Sequence, residues 1–177
     1  MIETGVIETG MIETGRLRLR RWEARDRAPF AALNADVWSP PLSADESDAL
    51  VDRLEARWEA DGFAFAAAER RADGAFVGMV GLQRFAGAGA LQPCVEVGWR
   101  LARAHWGQGY ATEAGRGWLD HGFRALGLAE VVAFTDAGNA ASLAVMRRLG
   151  MRRDAGRDFV HPRAPELGPL LVHVATP

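Results

Sequence analysis

The stretch Leu101–Glu113, LARAHWGQGYATE, is where residue types and spacing point most directly to chemistry. A β-prone run leads into Gly107-Gln108-Gly109, and helix-prone residues follow at once. Glycine has no Cβ, so the backbone there can approach a ligand closely. A helix start adds unpaired N–H groups and the positive end of the helix dipole, which together suit a phosphate or diphosphate. The loop has no Gly-Lys-Ser/Thr of a P-loop and no third glycine at the spacing of a dinucleotide fold. By itself it defines a candidate anion cradle.

The other chemistry-bearing types are sparse. His105, His121, His161 and His173 are too scattered for metal-ligand spacing, and no metal site is expected. Cys94 is the only cysteine, which excludes an internal disulfide framework and a cysteine-rich zinc site and suggests a reducing cytoplasm. It reads as a small buried apolar residue rather than a nucleophile.

These residues need elements to hold them. Leu17 and Leu19 alternate with arginines as a strand, and Asp26 is placed to cap a helix running to about Ala35. Ser43 and Glu46 form a capping box, and the helix behind them carries Leu50, Leu54 and Trp58 on one stripe up to Gly62. Phe63, Phe65 and Ala67 alternate as a strand. Asp73-Gly74 turns it back through Ala75–Leu82. Cys94–Leu101 reads as a third long strand, with Gly98 suggesting a bulge. A helix over Tyr110–Leu126, a strand over Ala129–Thr135, a helix from Asn139 to Leu149-Gly150 and strands near Met151–Asp154 and Leu170–Ala175 complete the order. The pattern is α+β, a mixed sheet with an antiparallel meander. Residues 1–15 repeat Ile-Glu-Thr-Gly three times with a period that fits neither helix nor strand. They read as a frayed extension, with Met11 as an alternative start and residues 16–177 as one domain.

A chain of 177 residues with 49% apolar and 25% charged residues suits one globular domain, not a disordered chain. No apolar run is long enough for a membrane span, and no secretory signal is visible. The net charge of −2, from 21 basic residues that are all arginine, argues against a general nucleic-acid binder. Arginines crowd 16–27 and acids crowd 45–61. The plain reading is two solvated faces, and the sharper one is an acidic helix that draws a cationic substrate.

Three motifs in order, RLRLRRW near the start, CVEVGWRLARAHWGQGYATEA in the middle and GNAASLAVMRRLGM later, resemble the GNAT superfamily of N-acetyltransferases, and its ribosomal-protein (RimJ/RimL-like) branch in particular. The likeness runs from about Ile12 to Asp158. It implies acetyl-CoA as donor, a primary amine as acceptor and a mixed, mostly antiparallel sheet flanked by helices that splays beside Cys94–Leu101. The pantetheine arm would pair with backbone groups of Trp99, Arg100 and Leu101. The family's diphosphate motif falls on Trp106, Gly107, Gln108, Gly109, Tyr110 and Ala111, with Trp106 standing where the family has Gln or Arg, and Thr112 adding a hydroxyl. Asn139 falls where the family contacts pantetheine. Its alternative role is a helix N-cap. Ser142, three residues on, would reach the cofactor sulfur or pack under a strand. Trp38 lies where the family shapes its acceptor pocket.

The implied chemistry needs a base, because an amine must lose a proton before it attacks a thioester. Glu96, between Val95 and Val97, is the candidate. Facing a cleft, its pKa would rise by burial; the alternative is a solvent-facing strand residue. The family's tyrosine acid, seven residues after the asparagine, is replaced by Met146, and Tyr110 is the only tyrosine, so Ser142, a water or no acid at all must serve the leaving thiolate. The loop after Asp36 and the C-terminal LLVHVATP look shorter than the family's, so a non-catalytic acyl-CoA-binding module is the rival reading. An exposed sheet edge near the tail would allow a homodimer.

Overall fold

The computed structural model describes residues 6–7, 11–37, 41–162 and 164–177. They fall into two compact units. One comprises the chain up to Gly81 with Gly98–Gly117, the other Leu82–Val97 with Trp118–Pro177.

In the first unit an antiparallel meander joins β1 (Val6–Ile7), β2 (Met11–Glu13), β3 (Leu17–Arg20), β4 (Phe65–Arg70) and β5 (Phe76–Phe85). Ile12 pairs with Leu19 and is 2% exposed. Burying a side chain of that size is worth about 1.5–3 kcal/mol, enough to fix a short strand that has a neighbour to pair with. The expected boundary at residue 16 therefore falls inside a hairpin. Between β3 and β4 come a 3-10 turn (Ala24–Asp26), α1 (Arg27–Val37) and α2 (Ala44–Asp61). Glu23, not Asp26, caps the first of these; Asp26 stands third and accepts the Glu23 N–H at 2.8 Å. Ser43 and Glu46 satisfy each other's backbone N–H groups as expected, and Gly62 ends α2 at φ +78°. The buried stripe of α2 is Ser47, Val51, Leu54 and Trp58, one residue round from the predicted Leu50.

The core of this unit stacks Trp22, Phe30 and Phe76 with ring centroids 4.6–6.3 Å apart. Beside it lies a buried ion cluster. Arg20 bridges Asp26 at 2.7 Å and Glu69 at 2.7 Å, and Arg18 and Arg25 also reach Glu69. Burial opposes the charge on both Arg20 and Glu69, but their mutual hydrogen bonds prevail: the arginine pKa is raised and the carboxylate pKa lowered. The arginine-rich and acidic segments also meet. Arg21 bridges Glu55 and Glu59, and Arg27 bridges Asp48 and Asp52. Four acidic side chains of α2 are thus paired with arginines within the unit.

In the second unit the strand β6 (Cys94–Leu101, its first half here) pairs in parallel with β7 (Val131–Asp136) through Glu96 and Val132. Then β7 pairs antiparallel over six residues with β10 (Pro169–Ala175). β8 (Arg152–Arg153) and β9 (Phe159–Val160) occupy the other side of β10. The expected strand near Leu170–Ala175 is thus paired along both sides. Two helices complete the order, α3 (Tyr110–Arg124) and α4 (Ala140–Arg148). The core gathers Leu91, Val132, Phe159, Leu170 and Val172, with Phe85 and Phe134 packed against it. The architecture is mixed α/β with a mostly antiparallel sheet, as expected. Among the described residues no helix is long and apolar enough to cross a membrane.

Candidate active site

The glycine loop forms as its sequence requires. Gly107 and Gly109 have φ of +71° and +80°, a region that side-chain-bearing residues avoid. A Cβ at Gly107 would meet nothing within 4 Å, so this glycine answers to backbone shape and an open approach rather than to crowding. The N–H of Glu113 bonds to the Gly109 carbonyl at 3.0 Å, which closes the first turn of α3. The N–H groups of Tyr110, Ala111 and Thr112 precede any intrahelical acceptor.

The side chains around the loop brace it. The Trp106 indole N–H donates to the Leu101 carbonyl at 2.7 Å, and the Arg103 guanidinium lies 4.9 Å from its ring centroid. Arg103 in turn bridges Asp36 at the end of α1. Gln108 donates to the Ala104 carbonyl at 3.0 Å. Trp106 therefore fastens the loop to the end of β6.

A second brace escaped the sequence reading. Glu113 accepts from the Thr14 hydroxyl at 2.6 Å, the Arg16 N–H at 2.7 Å and the Arg16 Nε at 2.7 Å. Burial would raise its pKa, but these donors prevail and lower it. Arg16 stacks over the Tyr110 ring at 4.6 Å, and its Nη2 lies 3.6 Å from where a Cβ on Gly109 would stand. The partners are separated by 97 residues and more, so no local pattern announces them.

On β6, Val95, Val97 and Leu101 are buried, so Glu96, Gly98 and Arg100 alternate onto the other face. The residue at 98 is glycine for a steric reason: a Cβ there would stand 2.8 Å from the Phe65 ring. Trp99 and Arg100 are both half-buried. Arg100 donates to the Asn34 side-chain carbonyl of α1, and Asn34 donates to the Ser47 hydroxyl of α2 at 2.9 Å. Burial lowers the Arg100 pKa to about 10.

In the second unit Glu96 is half-buried and accepts a hydrogen bond from Gln83 at 3.3 Å. Burial first, then the nearby charges of Glu96 and Glu130, push the Cys94 thiol up to about 11, which keeps it protonated and poorly nucleophilic. Asn139 is exposed and caps α4, accepting the Ser142 N–H at 3.0 Å. Its amide nitrogen is not spent by that cap. Ser142 is half-buried in the first turn. Met146 is 1% exposed. Tyr110 is 5% exposed, and its hydroxyl is bonded by Arg70. The structure thus brings Trp99–Leu101 together with the loop Trp106–Thr112 in one unit, and Asn139 with Ser142 in the other. Trp38 lies outside the described residues. No cluster of His, Cys, Asp and Glu fit to hold a metal occurs among the described residues.

This fold, with a glycine turn between a strand and a helix, is that of an acetyltransferase. Residues 16–152 match the family model of the acetyltransferase (GNAT) domain, and the chain belongs to that family and is an N-acetyltransferase. An uncharacterised Bacillus subtilis protein, YkkB, is 34% identical over 146 residues, 76% of this chain and 81% of that protein. An acetyltransferase from Agrobacterium tumefaciens of known structure is 27% identical with a TM-score of 0.78 over 99% of both chains. Mycobacterium smegmatis RimJ, solved with a coenzyme A disulfide, shares the fold at 22% identity with a TM-score of 0.70, over 99% of this chain and 85% of that one. Members of the family use acetyl-CoA as donor.

Proposed function

We propose that the chain moves the acetyl group of acetyl-CoA to a primary amine, a protein N-terminus or a small amine, by direct attack on the thioester carbonyl. The observation that carries this reading is the open glycine loop, Gly107 and Gly109 at positive φ ahead of the first N–H groups of α3. That arrangement fits a diphosphate, and Arg16, ion-paired with Glu113, stands at its rim. The coenzyme in the related RimJ structure supports the same assignment.

Under this reading Trp106–Thr112 hold the diphosphate, chiefly through backbone N–H groups. Trp99, Arg100 and Leu101 pair with the pantetheine amides, and Asn139 and Ser142 complete the hold on the arm. Glu96 takes the proton of the incoming ammonium, directly or through water. A backbone N–H near Trp99 polarises the thioester oxygen. The nitrogen–carbon bond forms, the carbon–sulfur bond breaks, and the proton the nitrogen then sheds passes through water to the departing thiolate. Met146 has no proton to give, and the Tyr110 hydroxyl is engaged by Arg70. Trp38 lines the acceptor side.

The test joins calorimetric titration with acetyl-CoA to a thiol-release assay over a panel of amines. Micromolar binding corresponds to about −8 kcal/mol. Glu96→Gln should keep that affinity and lose about 10²–10⁴ in rate. Equal rates for variant and parent would remove Glu96 as the base. Binding with no thiol release for any amine would remove the transfer reading.

A further inference from the structure

The strands of the second unit share one face on which Glu96 stands among aromatic rings. Glu96 of β6 lies opposite Val132 of β7, so both side chains point to the same side of the sheet, and Phe134, two residues on, shares it. Phe134 lies opposite Val172 of β10. Leu170, two residues before Val172, lies opposite Phe159 of β9. Residues 82–85, the end of β5, also belong to this unit. Gln83 there donates to Glu96 at 3.3 Å, which places it on that same side, and Phe85 follows two residues later.

The three rings form one group. Their centroids are 5.2 Å apart for Phe85 and Phe134, 5.5 Å for Phe85 and Phe159, and 5.0 Å for Phe134 and Phe159, the last pair edge-on at 82°. Aromatic rings attract one another at these spacings. The three are not buried equally. Phe159 is 4% exposed and belongs to the core, whereas Phe85 and Phe134 pack against that core and stay half-buried. Apolar ring surface therefore stays open on the face that carries Glu96.

The position of the base decides what meets that surface. An amine that gives its proton to Glu96 has its nitrogen at the carboxylate, so the carbons bonded to that nitrogen lie against the neighbours of Glu96. Those neighbours are Val132 directly opposite and Phe134 about 7 Å further along β7. Glu130, another carboxylate close to Cys94, is already bridged by Arg157 at 2.6 Å. A second ammonium group would thus meet rings and a carboxylate that has its partner, while an aromatic ring would meet rings. Aromatic walls with one well-placed polar group are the usual make-up of a small-molecule site.

We propose that the acceptor is a primary amine with an aromatic ring close to its nitrogen, the ammonium meeting Glu96 and the ring lying on Phe85 and Phe134. The inference rests on the acetyl-transfer reading with Glu96 as base. The step is that same transfer: the nitrogen–carbon bond forms, the thioester carbon–sulfur bond breaks, and the products are the acetamide and the coenzyme A thiol.

The test measures kcat/KM by thiol release from acetyl-CoA with 2-phenylethylamine, ethylamine and putrescine, and with two dipeptide amides that begin with phenylalanine or with glycine. The quantity read is the value for the ring-bearing acceptor divided by that for its ringless counterpart. A single methylene in an apolar pocket separates substrates about 10–200-fold, so the ring should give about 100-fold or more. Preference within the free amines identifies a small amine as the source of the ring, and preference within the dipeptides a peptide N-terminus; either supports the inference. Phe85→Ala and Phe134→Ala should each lower the ratio about tenfold. Damage to folding or to donor binding affects both acceptors of one protein equally and cancels. Phe85→Leu and Phe134→Leu keep most of the apolar volume and should lower it less, and they carry the comparison where the alanine variants do not fold. A ratio near one in both pairs of the parent protein overturns the inference, and so does a preference that no variant changes. Faster turnover of putrescine than of 2-phenylethylamine overturns it too and leaves acetyl transfer standing. Bound acetyl-CoA with no turnover of any amine overturns both.

Discussion

Glu113 is the point at which the amino-terminal hairpin is tied to the glycine loop, and Glu113→Gln tests how much that tie contributes. The Thr14 hydroxyl and the Arg16 N–H both reach Oε1, while the Arg16 guanidinium reaches Oε2. Arg16 is 51% exposed, so its ion pair is screened and worth about 0–1 kcal/mol. The other two bonds end on a charged acceptor, each worth about 1.5–3 kcal/mol against about 0.5–1.5 for a neutral one. Glutamine keeps an oxygen for them but loses roughly 1 kcal/mol on each, and its amide nitrogen meets the Arg16 Nε–H donor to donor. The loss should total about 2–3 kcal/mol, or a fall in Tm of about 5–10 °C for a chain of this size. The pH dependence has a definite sign. The folded pKa of Glu113 is lowered, so its stabilisation is complete above the unfolded value of about 4.3 and fades as pH falls through the lower folded value. Thermal melts of both proteins from pH 7 to pH 3 should therefore converge at the acid end. Curves that stay parallel, or a loss below about 2 °C at pH 7, would refute the assignment of this carboxylate as the tie.

Two further outcomes follow from buried charge. Glu69→Gln should destabilise by about 3 kcal/mol, the low end for a broken buried pair because Asp26 still holds Arg20. Urea titration measures it, and a change under about 1 kcal/mol would show that the pair had been poorly formed. At pH 8 the Cys94 thiol, with its pKa at about 11, should react with iodoacetamide roughly 300-fold more slowly than an unfolded cysteine of pKa near 8.5, timed by mass spectrometry. Fast labelling of the folded protein would contradict its burial.

What the sequence disclosed follows from how local each feature is. The Ser43–Glu46 box, the Gly62 stop, the turn at Gly74 and the strand Cys94–Leu101 all depend on neighbours within a few residues, and all formed where expected. The glycine loop was legible for the same reason. Asp26 misled because a carboxylate near a helix start has two uses, and the distant Arg20 made it part of an ion cluster. Gly98 suggested a bulge, while its reason lies 33 positions away in the ring of Phe65. Residues 11–15 passed as part of a frayed repeat because a two-residue alternation shows only once β3 supplies the pairing partner.

The candidate site divides along the same line. Residue types near the chemistry could be picked from the linear motif, but their supports could not: Thr14 and Arg16 on Glu113, Asn34 and Ser47 behind Arg100. These supports decide what the motif residues can do. Asn139 illustrates it. Its oxygen caps α4 on the Ser142 N–H, so its amide nitrogen remains for a ligand, and the cap and the proposed pantetheine contact reinforce one another instead of competing. Arg100 illustrates it more strongly. On the strand it is one arginine among many, and its bond to Asn34, itself bonded to Ser47, fixes where its guanidinium stands.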